Sequence, residues 1–302
     1  MGYSSQGRVS MPSQQRLAPL RLVRGSMGHA GALMQWAMAD AFRTQGQLAL
    51  KPVSVDAASA RYECRVISDR RELRKVFQLR YDVFRAEYGS PPSIFRIDVD
   101  GFDRHSIHLA VVDRTTGLPV GVYRLVSETN RLGFYAAREF ALGPFLARPG
   151  VRLELGRACV HPEHRNGSVL RMLWKGLVGV ARSQGAEHMF GCSSVICPPA
   201  FERGAASVTL LGGLRQELDS LNALRPLQGV VPQKRYEMTR EMRHVWDMAK
   251  SGESPVADGS AILPPLLRSY IRAGAYVIAP PAYDREFRCL DLLTVFPLPP
   301  RA

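Results

Sequence analysis

The stretch Leu153-Glu154-Leu155-Gly156-Arg157-Ala158-Cys159-Val160-His161-Pro162-Glu163-His164-Arg165-Asn166-Gly167 decides the reading of this chain. An apolar strand carrying one carboxylate runs into a basic turn that opens a helix. This layout suits transfer of an acyl group to an amine. Such a strand can place a base and backbone N–H groups beside a thioester, with the helix N-terminus toward the phosphate of a carrier arm. Alternation along the strand sets Leu153, Leu155 and Cys159 on one face and Glu154, Gly156 and Ala158 on the other. Glu154 thus leaves the core face. An attacking ammonium must lose a proton, and a glutamate near its ordinary pKa of ~4.3 is a weak base unless desolvation raises it. The competing reading is a buried carboxylate paired with an arginine. Arg157 is out of phase with Glu154 unless the strand bulges, and Gly156 is a natural place for a bulge that would also turn N–H groups toward a thioester carbonyl.

Working outward, Val169, Leu170, Leu173, Trp174, Leu177, Val178 and Ala181 recur at helical spacing, with Ser168 placed to cap the start and Gly185 to end the helix. Residues 61–67, 108–113, 119–126, 188–195, 275–278 and 290–296 read as strands. Arg114-Thr115-Thr116-Gly117 closes a hairpin. Residues 69–88 read as a helix capped by Asp69, 199–214 as a second helix, and 220–262 as a polar insertion or loop in which 236–250 is a solvated helix. Strands mostly followed by helices, behind an antiparallel hairpin, predict an α/β fold with a mixed sheet. One domain is expected over 59–302. Residues 1–58 are read as a basic extension, partly disordered, in which Met34, Ala37, Met38, Ala41 and Phe42 form an apolar stripe.

Among 302 residues, Lys and Arg total 40 against 27 Asp and Glu, a net charge of +13. Only five of the basic residues are lysine. Such a surface favours an acidic carrier protein or an anionic membrane. Nucleic acid is excluded, because no reading motif accompanies the charge. Five scattered cysteines and the lack of a spanning apolar run fit reduced thiols in the cytoplasm, with peripheral contact at the inner membrane allowed. Asp98, Asp100, Asp103 and His105 form an acidic cluster able to hold a cationic acceptor, and Arg80, Arg124 and Arg157 could take its carboxylate. Equally, these groups could brace one another, and for Asp98 that is the preferred reading. His161 and His164 beside Cys159, and the pair Cys192 and Cys197, are explained more simply without a metal. Phe84, Tyr123, Phe134, Tyr135, Trp174 and Phe190 read mostly as core, with an acyl tunnel as the alternative.

The segments Leu79-Arg80-Tyr81-Asp82-Val83-Phe84, Ile97-Asp98-Val99-Asp100-Gly101-Phe102-Asp103, Gly121-Val122-Tyr123-Arg124-Leu125, the quoted strand, Phe190-Gly191-Cys192-Ser193-Ser194, Leu263-Pro264-Pro265-Leu266-Leu267, Gly274-Ala275 and 284–297 follow in that order. Together they resemble the ornithine N-acyltransferases that begin bacterial ornithine-lipid synthesis. That family is a branch of the GCN5-related N-acyltransferase (GNAT) superfamily close to the acyl-homoserine lactone synthases. The likeness covers roughly residues 62–300. It implies a GNAT fold, a mixed central sheet flanked by helices. It also implies Glu154 as base with Arg157 beside it, and Arg80, Asp100, Asp103 and Arg124 in substrate binding or cleft structure. Arg165, Asn166, Gly167 and Ser168 occupy the place of the superfamily's phosphate loop. Val169 stands where that loop ends in glycine or alanine, which favours the single phosphate of acyl carrier protein over coenzyme A. The donor is then an acyl-phosphopantetheine carrier, the acceptor an amino acid such as ornithine, and no metal or redox cofactor is needed. The alternatives are a lactone synthase, an acyltransferase for another amino acid such as glycine, and a non-catalytic scaffold for carrier protein or lipid.

Overall fold

The computed structural model describes residues 59–89, 94–202, 204–250 and 262–299. The expected extension over 1–58 and its apolar stripe lie outside them. Strands β1 (Tyr62–Ile67), β2 (Ile107–Asp113), β3 (Leu118–Ser127) and β4 (Arg152–Val160) pair antiparallel in chain order. The β2–β3 turn closes where the Gly117 N–H donates to the Asp113 carbonyl at 2.8 Å, with Gly117 at φ +65°. Strand β5 (His188–Ile196) then runs parallel to β4. Beyond it β8 (Cys289–Pro297) is antiparallel to β5 and carries both β6 (Tyr276–Val277) and β7 (Ala282–Asp284). The sheet is mixed, as expected.

Helix α1 (Arg70–Tyr88) starts where the Asp69 carboxylate accepts the N–H groups of Arg71 and Glu72, and stops at Gly89 in the left-handed region. Its Val76, Phe77 and Val83 cover Ala110, Val112 and Val122 on one face of the sheet. A single turn, α2 (Gly143–Leu146), precedes β4. Helix α3 (Ser168–Ser183) lies on the opposite face, with Val169, Leu173, Leu177 and Val180 buried against Cys64, Leu109 and Leu125. Its cap differs from expectation. Gly167 is the N-cap residue, and the Asn166 side chain accepts from the Ser168 N–H and hydroxyl, so Ser168 is the first helical residue.

Helix α4 (Ala205–Ser220) begins six residues later than its apolar pattern suggests, after Gly204 at φ +54°. Helix α5 (Arg240–Lys250) is not solvated all round: Met242, Trp246 and Ala249 are buried, the first two in one cluster with Leu211, Leu214 and Leu218 of α4. Its charged residues hide an i, i+4, i+7 stripe. Helix α6 (Pro265–Arg272) completes that cluster through Leu267 and Ile271.

The feature that positions a site is a fork in the middle of the sheet. Strands β4 and β5 are each nine residues long, yet only Arg152, Leu153 and Glu154 pair with His188, Met189 and Phe190. Past these rungs the strands part. At the fork's base a Cβ on Gly191 would lie 2.1 Å from the Leu155 carbonyl oxygen, so only glycine fits there. Beyond it, Leu155, Gly156, Arg157 and Ala158 on one arm and Cys192, Ser193 and Ser194 on the other are half-buried in what would otherwise be a sheet interior.

Candidate active site

Between Val122 and Arg124, β3 advances two residues while β4 advances three, from Cys159 back to Gly156. The extra residue makes a bulge, and it centres on Arg157, whose φ is +51°, rather than on Gly156. A non-glycine residue in that region costs roughly 1–3 kcal/mol and persists only where its surroundings hold it. Here Arg157 Nη2 donates to Asp100 at 2.9 Å and Nε lies 3.8 Å from Asp98. The bulge also shifts the strand's phase. Ala158 joins the α3 face and Cys159 the α1 face, the reverse of simple alternation, and Arg157 comes round to the side of Glu154.

The expected substrate residues do come together, but as partners of one another. Arg80 bonds Asp98 at 2.8 Å and Asp103 at 2.6 Å, and Arg124 bonds Asp100 at 2.7 Å. Arg80, Arg124 and Asp103 are buried, and only Asp98, Asp100 and Arg157 show an edge to the outside. Burial opposes ionisation of Asp100, yet Arg124 and Arg157 hold its carboxyl well below the usual range. Burial likewise acts against Asp98 and Asp103, and their arginines prevail. Three guanidinium groups neutralise three carboxylates. Asp100 and Asp103 therefore brace the arginines around them, the second of the two readings left open by the sequence, and offer no spare charge to a cationic acceptor.

Glu154 occupies the last paired rung before the fork. Only 3% exposed, it accepts the Tyr135 and Ala136 N–H groups, both at 2.6 Å, from the 3-10 turn Tyr135–Arg138 that covers it. Burial pushes its carboxyl up to about 7, against the pull of those two N–H groups and of Arg124. The carboxylate is thus on the expected face but under a lid of backbone, not on an open wall. Phe134 and Phe190 pack edge-on at 4.9 Å beside it, in the core rather than in a tunnel.

At the far end of β4, Arg165 Nε donates to the Val160 carbonyl and its guanidinium also bonds Glu87. The Tyr62 hydroxyl and His164 Nδ1 are 2.9 Å apart. Asn166, Gly167 and Arg165 are exposed ahead of the 16-residue α3. Cys159 is buried beneath α1.

The sequence profile described as an acetyltransferase (GNAT) domain matches residues 79–175, from within α1 through β4 and its bulge into α3. An L-ornithine N(alpha)-acyltransferase of Rhizobium meliloti (strain 1021) is 31% identical over 253 residues, 79% of this chain and 81% of the relative. The chain belongs to the L-ornithine N(alpha)-acyltransferase family. A second family member, from Rhodobacter capsulatus, is 30% identical over 251 residues, 78% of this chain and 90% of that one. Among solved structures, TofI in a ternary complex with an inhibitor and MTA aligns with a TM-score of 0.43 at 14% identity, covering 78% of this chain and 91% of TofI.

One group in this L-ornithine N(alpha)-acyltransferase family member escaped the sequence reading. Glu139, Asp284 and Asp291, all buried, bring a carboxylate oxygen each within 4.8 Å of the others. They come from the end of the 3-10 turn, from β7 and from β8. No local spacing links them. The available signal was a lone aspartate within the apolar run 289–296, where a strand core should carry none.

Proposed function

We propose that the chain transfers a fatty acyl or 3-hydroxyacyl group from the phosphopantetheine thiol of an acyl carrier protein to the α-amine of L-ornithine. The fork is the observation that carries this reading. Past Glu154 the β5-facing edge of β4 has lost its neighbouring strand, and an extended amide-containing arm can hydrogen-bond there as a strand would. The thioester then comes to rest beside the Arg157 bulge. Arg157 and Ala158 have no partner residue on β3, and backbone N–H groups at such a bulge are placed to stabilise an oxyanion. The exposed start of α3, with Arg165, Asn166, Gly167 and Ser168, receives the arm's phosphate.

In the reaction the α-ammonium passes a proton to Glu154, directly or through water, and the amine nitrogen attacks the thioester carbon. The C–N bond forms, the C–S bond breaks, and the second proton, shed by the nitrogen as it becomes an amide, goes to the departing carrier thiolate, while Glu154 returns the first to solvent. Amide and free thiol result, with no metal or redox cofactor in any step. Arg157, at the open edge of the ion-pair network, has no spare charge either, but a guanidinium carries more N–H donors than its bond to Asp100 uses, and these are what it offers the acceptor's carboxylate.

Purified protein incubated with acyl carrier thioesters and L-ornithine is expected to yield N-acylornithine by mass spectrometry. Matched acyl-CoA is expected to be the poorer donor. Absence of amide with every donor refutes the reading, and equal efficiency of both donors refutes its carrier-protein part.

A further inference from the structure

Resting on the reading above, the geometry points to Glu139, Asp284 and Asp291 as the anchor for the side-chain ammonium of the acceptor, and so as the determinant of selection for a diamino acid. The acidic network first suited to that task is neutral, since each of its aspartates bonds an arginine. This trio is different. No lysine, arginine or histidine among the described residues is paired with any of its members. Asp284 spends one oxygen on the N–H groups of Glu286 and Phe287, and Asp291 accepts from the Ser194 hydroxyl at 2.6 Å and, through its other oxygen, from the Cys289 thiol at 3.4 Å. Glu139, 4% exposed, has the Cys192 thiol beside its carboxyl and leaves Oε2 sealed from solvent without a hydrogen-bond partner. A buried carboxylate oxygen left bare beside two more carboxylates lacks a cation, and an ammonium with three N–H donors matches three carboxylates one for one.

The place is right for this. The Cys192 thiol lies against Glu139 and the Ser194 hydroxyl against Asp291, and both residues stand half-buried on the β5 arm of the fork. Glu154, on the opposite side of the split, is near enough for its charge to be felt at Glu139. An acceptor with its α-amine toward Glu154 therefore has the trio within reach of a second, terminal amine. Burial together with Asp291 pushes the Glu139 carboxyl up to about 8, so near neutral pH it holds a proton that an incoming ammonium would displace.

The test compares L-ornithine with L-norvaline, which has the same carbon chain without the terminal amine, using one acyl carrier thioester. Wild-type kcat/KM should favour ornithine by on the order of 10²-fold, the usual scale for a buried charge pair. Glu139→Gln and Asp291→Asn should each collapse that ratio through KM for ornithine, with thermal melting used to check that both variants are folded. A wild-type ratio near one, which needs no variant to measure, overturns the anchor while leaving amino-acid acylation intact. So does an unchanged ratio in both folded variants, or a divalent-ion requirement that Glu139→Gln abolishes. No acylation of either amino acid refutes the parent reading and the anchor with it.

Discussion

Glu154 answers two demands with one carboxylate. It ties down the turn over the fork by accepting two backbone N–H groups, and it sits near neutrality because burial outweighs them. If it takes the amine's proton, the acidic limb of the kcat/KM profile should fall near pH 7. Glu154→Gln should erase that limb and slow turnover about 10²- to 10⁴-fold, measured by product mass spectrometry across pH. A limb that survives the substitution assigns the proton elsewhere and leaves Glu154 as a positioning residue. The amide also sets an N–H₂ against one of the two backbone donors, so a loss of roughly 1–3 kcal/mol in unfolding free energy should accompany the kinetic effect. At Arg80 the expectation is structural. Arg80→Ala strands Asp98 and Asp103 without their main partner, and denaturant titration should show a loss of about 3–5 kcal/mol.

At the level of elements, the fork depends on β5 approaching Leu155 without a side chain. Gly191→Ala drives a methyl into a main-chain carbonyl that cannot swing away, so a loss of about 1–3 kcal/mol and a distorted cleft are expected. Wild-type melting and turnover in that variant would show that the arms are free to move apart. Elements announced by local pattern were readable from the chain alone. These include the Asp69-capped helix, the Gly117 hairpin and the apolar stripe of α3. The bulge was readable as an event but not as an address. Glycine tolerates the geometry anywhere, whereas Arg157 is held in it by Asp98 and Asp100, which arrive from a distant loop. For α5, the charged face outnumbered the three buried residues that fix its docking. Long-range assembly likewise hid the Glu139 trio, whose members are brought together only when β7 and β8 pair.

For the molecule as a whole, buried acids set an unusual pH response. Glu139 at about 8, Glu154 at about 7 and Asp291 at about 6 all exceed their ordinary values near 4. A carboxyl raised in the fold binds protons that the unfolded chain has already released. Its favourable share is complete below the unfolded value and is lost as pH climbs through the folded one. The protein should therefore melt higher at about pH 6.5 than at about 8.5, and Glu139→Gln should flatten that difference. Further acidification works the other way. His108 is kept neutral by burial, and the arginine-bonded aspartates finally protonate. A thermal midpoint that is higher at the more alkaline of the two pH values would contradict this balance. Among the described residues no helix is long and apolar enough to cross a membrane.

Three rungs alone join the two halves of the sheet across β4 and β5. Amide hydrogens on the fork-facing edges of the two arms should exchange with deuterium far faster than those of β3 or β8, and a docked acyl-pantetheine arm should slow them selectively. The donor would in effect complete the sheet, so loading the enzyme and stiffening it become one event, visible as protection along residues 155–160 before any product forms.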